Sequence, residues 1–149
     1  MKTINNSQNF NHESGWTFME TLIVIAIVLI LTASVGFVAI GSLEKARIAG
    51  ARSQIDSFCT ALESYYIDCG YYPTSEQGLE ALREKPKTEP ASDFWNGPYI
   101  YKKVPKDPWG NSYEYLNPGA DGSPFSIRCF GADGKEGGED KNSDITSWE

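Results

Sequence analysis

A single carboxylate, that of Glu20, stands at the start of a long apolar stretch of this chain. It ends the hexapeptide GWTFME, residues 15–20, and the apolar run of residues 22–31 follows almost directly. A charge beside a membrane-length segment is costly, on the order of 3 kcal/mol on insertion scales. Cleavage after Gly15 would create an α-amino group on Trp16, which could neutralise Glu20 of the same or a neighbouring chain. This spacing indicates an assembly contact, and the alternative is that Glu20 simply extends to the lipid headgroups.

A second set of oxygen-bearing side chains lies close to the C-terminus, in a stretch rich in glycine. Aspartates beside glycines on a chain that bends tightly suit Ca²⁺, which takes carboxylate and backbone carbonyl oxygens. An EF-hand fits poorly, because Lys135 and Gly137 occupy positions that should hold oxygens. The residues alone leave two interpretations open, a cation site and a solvated acidic terminus. The acidic residues concerned are Asp133, Glu136, Glu139, Asp140, Asp144 and Glu149.

Other kinds of chemistry find little support in the composition. His12 is the only histidine, so neither a zinc site nor a pair of histidine and nucleophile is available. The formal net charge of −7 disfavours non-specific binding to nucleic acid, which needs a basic surface. The sequence therefore predicts a protein that is not an enzyme and has no nucleic-acid partner.

The three cysteines, Cys59, Cys69 and Cys129, leave at least one thiol unpaired in a monomer. If one helix carries Cys59 and Cys69, they lie roughly 15 Å apart, which is too far for a disulfide. A pair that includes Cys129 is sterically easier. Small buried thiols are the simpler interpretation of all three.

Residues 16–68 contain no proline and predict one continuous helix, which Cys69-Gly70 would end. Its first half includes residues 21–40, which carry no formal charge and would span about 30 Å, the thickness of the hydrocarbon layer. In its second half, apolar residues recur every three or four positions and form one face for packing on a globular head. These residues are Ala51, Ile55, Phe58, Cys59, Leu62, Tyr65 and Tyr66.

The rest of the chain predicts short elements. Thr74 or Ser75 can cap a short helix that would end at Arg83. Residues 117–122 are rich in turn formers and would join two strands as an antiparallel hairpin. Strands are expected over residues 98–104, 112–116 and 124–130. The aromatic residues expected to pack in the core are Trp95, Tyr99, Tyr101, Trp109, Tyr113 and Tyr115.

Two further expectations concern the end of the chain. Phe125, Ile127 and Cys129 alternate along the last strand, so they share a face that suits packing on the long helix. Residues 131–147 show no usable periodicity, so something other than a hydrophobic core must order them.

The first of these motifs is similar to the class III leader of type IV pilin-like proteins. Other blocks of the chain resemble, in the same order, the major pseudopilin family of type II secretion systems, and together they cover nearly the whole mature chain. They are YPTSEQGLEAL at residues 72–82, DPWGN at 107–111, GADG at 131–134, and Asp144-Ile145 with Trp148.

The resemblance implies an α+β fold of the type IV pilin-like class, with a long N-terminal helix, a small antiparallel β-sheet head and a C-terminal metal loop. It implies that residues 1–15 are a leader, which a prepilin peptidase removes between Gly15 and Trp16. Trp16 would then be N-methylated, residues 16–41 would lie in the inner membrane as a single pass, and residues 42–149 would form a periplasmic head. The expected partners are copies of itself, which would assemble through Glu20, together with minor pseudopilins and the inner-membrane assembly platform.

The resemblance also implies one structural Ca²⁺ in the C-terminal loop. Asp133 lies inside the matching GADG block, and the backbone carbonyls of Phe130 and Lys135 are expected beside it. A further side-chain ligand would come from the second half of the loop. The candidates are Asp140, Asn142, Ser143 and Asp144.

This chain departs from the family at three places. Trp16 stands where phenylalanine is usual, the leader has a single lysine, and residues 32–41 lack a proline. Alternative interpretations are a type IV pilus or minor pseudopilin subunit, and a membrane-anchored periplasmic calcium-binding module that never polymerises. A third alternative is a secreted lectin-like domain, cleaved near Ala33 or Val35.

Overall fold

The computed structural model describes residues 17–148, without the side chains of residues 34–40. The described residues fall into two compact units, divided between Ile40 and Gly41. Its elements in order are helix α1 (Phe18–Cys69), a 3-10 helix (Leu79–Leu82), strand β1 (Glu114–Leu116), strand β2 (Ser126–Cys129), a second 3-10 helix (Asp140–Asn142) and strand β3 (Ile145–Thr146).

In the first unit, the start of α1 is set by Thr17. Its hydroxyl oxygen accepts a hydrogen bond from the backbone N–H of Glu20 at 3.3 Å, as an N-cap does. The large apolar side chains of residues 18–31 are all exposed. Across the described part of the chain, no helix combines the length and the hydrophobicity needed to cross a bilayer.

In the second unit, α1 buries the face that the sequence predicts. Ile55, Phe58, Leu62 and Tyr65 are each at most 1 % exposed, and their spacing of three and four residues puts them on one side. The helix ends at Cys69, where Gly70 adopts a left-handed conformation with φ of 81°. The N–H of Gly70 donates to the carbonyl of Tyr66 at 2.8 Å, so the predicted glycine stop is confirmed.

A three-stranded antiparallel sheet in the order β1-β2-β3 packs on this face of α1. The predicted hairpin is confirmed, with Tyr115 of β1 opposite Ile127 of β2. Ile127 and Cys129 are fully buried and Phe125 packs against the core, so the predicted shared face is correct. Strand β3 is not among the strands predicted from the sequence. It consists of only two residues, both paired with β2, which is too short for a recognisable sequence pattern.

The expected strand over residues 98–104 is wrong, since these residues belong to none of the described strands. The N–H groups of Tyr99 and Ile100 instead both donate to the carbonyl of Leu82, at 2.7 and 3.2 Å. The backbone there is satisfied by the end of a helix, so it does not need a sheet partner.

The short helix expected to end at Arg83 is only the four-residue 3-10 turn Leu79–Leu82. Neither predicted residue caps it, because its N-cap is Gly78 and receives no side-chain hydrogen bond. Thr74 instead closes the preceding turn, since its hydroxyl accepts from the N–H of Gln77 while the Gln77 side chain accepts from the N–H of Thr74. Gly78 follows with φ of 60°, which interrupts a right-handed helix before it can continue.

The cysteines are free thiols, and the easier disulfide pair with Cys129 is not formed. Cys129 lies in the core and donates from Sγ to the Asp107 carboxylate at 3.2 Å. Burial is the main cause that raises the pKa of the Cys129 thiol to about 12, so it stays protonated at neutral pH. Of the aromatic residues expected in the core, Tyr101 is the exception, because it is 90 % exposed.

Candidate functional site

Two places in the chain carry the chemistry that the sequence points to. The first is the beginning of α1, where Glu20 lies in the first turn with an exposed side chain. A carboxylate there is favoured by the positive end of the helix dipole. The predicted cleavage and methylation positions, Gly15 and Trp16, lie outside the described residues. The predicted pairing of Glu20 with the amine of Trp16 therefore stays a prediction.

The second place is the C-terminal loop, defined here as residues 130–144 between β2 and β3. We call residues 130–136 its first arm and residues 138–144 its second arm. The two arms lie against each other, because the Ala132 N–H donates to the carbonyl of Lys141 at 3.0 Å. At Gly131, with φ of 63°, an added Cβ would come within 2.9 Å of the Asn142 and Ser143 backbone. Only glycine allows this close approach of two chain segments.

The loop is also folded by local turns around its acidic residues. Asp133 is exposed and accepts from the backbone N–H of Lys135 at 3.2 Å, which is an Asx turn. Asp140 adopts a left-handed conformation with φ of 54° and begins the 3-10 turn. The Ser143 N–H donates to the carbonyl of Asp140 at 3.2 Å.

Asp144 is the most enclosed of the three candidate aspartates, since Asp133 and Asp140 are exposed. Its Oδ2 accepts from the backbone N–H of Gly137 at 3.0 Å. Its Oδ1 is buried and receives no hydrogen bond from any described residue. A buried carboxylate oxygen without a partner is energetically costly, so it fits the role of a ligand to a cation.

The carboxylates alone do not make a metal centre. Over the part of the chain that the structure describes, no group of three or more histidine, cysteine, aspartate or glutamate side chains is placed so that it could hold a metal ion. Oxygen ligands for Ca²⁺ also come from backbone carbonyls, hydroxyls and amides. The candidate set of Asp133, Asp144 and nearby backbone oxygens is compatible with such a cation, and the placement of the individual ligands remains a prediction.

Sequence reasoning missed Arg128, which contacts this loop from the middle of β2. Its Nη1 lies 2.5 Å from the Glu136 carboxylate and 3.8 Å from Asp144 Oδ2. The hydrogen bond to Glu136 is the main cause that raises the pKa of Arg128 above its usual value. The observed hairpin register places Arg128 opposite Glu114, and the local sequence carries no signal of that pairing.

A tight turn, residues 107–111, connects the loop to α1. Asp107 is buried, and its Oδ1 accepts from the N–H groups of Trp109 and Asn111 at 3.0 and 2.7 Å. The Trp109 indole N–H donates to Glu44 of α1 at 3.0 Å. The Asn111 side chain donates to the carbonyl of Gly131 at 3.2 Å. The DPWGN block therefore acts as a rigid connection between the helix and the first residues of the loop.

The chain is similar to curated proteins over most of its length. The sequence model described as "Type II secretion system (T2SS), protein G" matches residues 39–148. The type II secretion system core protein G of Pseudomonas aeruginosa is 42 % identical over 137 residues, covering 92 % of this chain and 96 % of that protein. The Vibrio cholerae protein of the same name is also 42 % identical, covering 91 % of this chain and 92 % of that protein.

A solved structure supports the same relationship. The major pseudopilin of the type II secretion system of enterohaemorrhagic Escherichia coli superposes with a TM-score of 0.62 at 37 % sequence identity. The match covers 73 % of this chain and 92 % of that one. The pilin-like α+β fold expected from the sequence is thereby confirmed, as a long helix with a small antiparallel sheet. This chain therefore belongs to the protein G family of type II secretion systems, the structural subunits known as major pseudopilins.

Proposed function

We propose that this chain is the structural subunit that polymerises into the periplasmic pseudopilus of a type II secretion system, whose motion drives folded proteins through the outer membrane. The main observation behind this proposal is the family match, which spans residues 39–148 and so includes the second half of α1 and the head. The exposed apolar side chains of residues 18–31 support this proposal. In a fibre these side chains would be covered by other copies of the helix.

The proposed maturation begins with cleavage between Gly15 and Trp16 by a prepilin peptidase, followed by N-methylation of Trp16. The helix cap at Thr17 supports a cut at this position. It starts the helix just after the proposed cleavage site and so places Glu20 in its first turn. The new amine on one subunit would then neutralise Glu20 on its neighbour. Such pairing would remove the cost of a carboxylate in an apolar environment.

Before assembly, the subunit is proposed to lie in the inner membrane as a single pass, with residues 42–149 in the periplasm. The absence of formal charge over residues 21–40 and the exposure of the described apolar side chains support this arrangement. The expected partners at this stage are the peptidase, the minor pseudopilins and the inner-membrane assembly platform.

The C-terminal loop is proposed to hold one structural Ca²⁺. Asp133, Asp144 and the carbonyls of Phe130 and Lys135 would supply oxygens, and Asp140, Asn142 and Ser143 are the further candidates. A bound cation would supply attraction for carboxylates and carbonyls in a loop that has almost no apolar core. The buried, unpartnered Oδ1 of Asp144 is the observation that favours this proposal.

Cross-linking in membranes tests the assembly proposal against its main competitor, the anchored module that never polymerises. A cysteine at Ile23, close to Glu20 on α1, would be treated with a bifunctional maleimide in cells that carry the whole secretion system. Cys59 would be changed to serine, because it is the partly exposed thiol. A ladder of multimers is expected, whereas a monomer alone would support the anchored module.

The matched control is the same cysteine variant carrying Glu20→Gln. Its ladder should disappear while cleavage and membrane insertion remain. An unchanged ladder would show that the subunits polymerise without help from the carboxylate. N-terminal sequencing of the mature protein complements this test, since it should begin at a methylated Trp16. A terminus near Ala33 or Val35 would instead indicate a secreted domain.

A further inference from the structure

Arg128 brings a positive charge from the middle of β2 to the C-terminal loop, and its side chain is only 13 % exposed. The sheet register sets it between Glu114 of β1 and Thr146 of β3. A guanidinium in such a place is poorly screened by water, so its contacts count for more than those of a surface arginine.

Three carboxylates surround this guanidinium. Besides its contacts with Glu136 and Asp144 through Nη1, its Nε lies 3.4 Å from the Glu114 carboxylate. Glu136 belongs to the first arm of the loop and Asp144 to the second, so one cation links both arms. The planar fork of arginine offers several donors in fixed directions, which lysine does not.

The same guanidinium also lies over two aromatic rings, one at the start of the loop and one beyond β3. Its central carbon lies 5.6 Å from the ring centre of Phe130, the first loop residue. It lies 5.8 Å from the ring centre of Trp148, just beyond β3. Both distances are within the range of a cation–π interaction. Arg128 thus contacts the beginning, the middle and the end of the segment that follows β2.

We propose that Arg128 is a positioning residue, a fixed internal cation that keeps the C-terminal loop folded when no metal ion is bound. Its Nη1 lies 3.8 Å from Asp144 Oδ2, the same oxygen that accepts the hydrogen bond from the Gly137 N–H. The remaining oxygen, Oδ1, is left for a further cation. This last point rests on the proposed calcium site, whereas the positioning role does not.

Amide hydrogen exchange of the full-length protein in detergent micelles, with a calcium chelator present, tests the positioning role. The probe is the Gly137 N–H, which is bonded to Asp144. Arg128→Gln should speed its exchange at least tenfold relative to wild type. Arg83→Gln is the matched control, because it removes an equal charge from a surface ion pair with Glu84 and should leave Gly137 unchanged.

A second variant, Arg128→Lys, and a second amide, that of Leu62, separate a local effect at the loop from general loss of folding. Arg128→Lys keeps the charge but lacks the fork and the flat surface, so its Gly137 exchange should lie between those of wild type and Arg128→Gln. The Leu62 amide, in the core-facing part of α1, should exchange as in wild type. Equal exchange at Gly137 in wild type and Arg128→Gln would overturn the proposal. Equal acceleration at Leu62 and Gly137 would overturn it as well, because the effect would then be global.

Addition of Ca²⁺ separates this inference from the proposed metal site. If the site exists, Ca²⁺ should slow Gly137 exchange in wild type and bring Arg128→Gln closer to it. If Ca²⁺ does not change Gly137 exchange in wild type, the proposed metal site is overturned. The comparison of wild type with Arg128→Gln in chelator would still decide the role of Arg128.

Discussion

The side-chain amide of Asn111 donates a hydrogen bond to the carbonyl oxygen of Gly131, where the C-terminal loop leaves β2. Gly134 lies against the same side chain, since an added Cβ there would come within 3.2 Å of Asn111 Oδ1. Asn111 is itself held by the buried carboxylate of Asp107. The first arm of the loop is therefore positioned by a residue some twenty positions earlier in the chain.

Asn111→Ala should destabilise the head by about 1 kcal/mol, because a part-buried hydrogen bond to a backbone carbonyl is lost. Urea unfolding followed by tryptophan fluorescence measures this change. Asn96→Ala is the matched control, since Asn96 is exposed. An effect of Asn111→Ala no larger than that of Asn96→Ala would contradict the connecting role of this side chain.

Asp107→Ala should be more damaging, at about 2–3 kcal/mol, since it leaves one buried and two part-buried donors without an acceptor. Those donors are the N–H groups of Trp109 and Asn111 and the thiol of Cys129. The same unfolding measurement applies. Asp93→Ala, at an exposed position with a surface ion pair to Lys85, should change stability little. Similar values for the two variants would refute the buried role of Asp107.

Asp133→Ala should loosen the C-terminal loop and abolish secretion if the proposed Ca²⁺ is bound there. Limited proteolysis with and without chelator reports on the loop, and export of a folded cargo reports on function. Asp121→Ala, an exposed acid at the tip of the β1–β2 hairpin, is the control. Wild-type protease resistance and fibre assembly that are both insensitive to chelator would argue against a structural metal.

Stability should fall as the pH rises above 9. Burial raises the pKa of the Cys129 thiol from 9.0 to about 12, so the folded state holds a proton that the unfolded state releases. The stabilisation from this group is complete below pH 9 and is lost progressively up to about pH 12. Burial and a hydrogen bond to Glu63 likewise raise the pKa of Tyr72 from 10.0 to about 12, which adds a loss above pH 10.

Urea midpoints between pH 7 and 12 measure this loss. Cys129→Ser keeps a hydroxyl donor for Asp107 but does not ionise in this range, so its midpoint should fall less steeply above pH 9 than that of wild type. Parallel curves for the two proteins would exclude the thiol as a source of the pH dependence.

Local patterns predict the largest elements of the fold well. Helix α1 and its glycine stop follow from apolar spacing and from Gly70, and the hairpin follows from turn residues between two alternating segments. Contacts between distant residues account for the errors. Tyr99 and Ile100 bond to Leu82 instead of forming a strand, and the pairing of Cys129 with Ile145 makes β3 from only two residues.

The candidate site shows the same division. The aspartates and glycines of the C-terminal loop are recognisable in the sequence because of their type and density. Their positions, however, depend on Arg128 and Asn111, which lie outside the loop and carry no local signal of that role. A strand register and a buried turn decide where those two side chains reach, and neither can be read from a short window of sequence.

Strand β3 gives the sheet a protection that its length does not suggest. By pairing with Arg128 and Cys129, its two residues make β2 an inner strand. An open edge of a sheet offers unpaired N–H and C=O groups to any extended segment nearby. A subunit that waits at high local concentration before assembly would otherwise expose such an edge to its neighbours. The edge of the sheet on that side is therefore only two residues long, and very short edge strands are one way in which proteins limit edge-to-edge pairing.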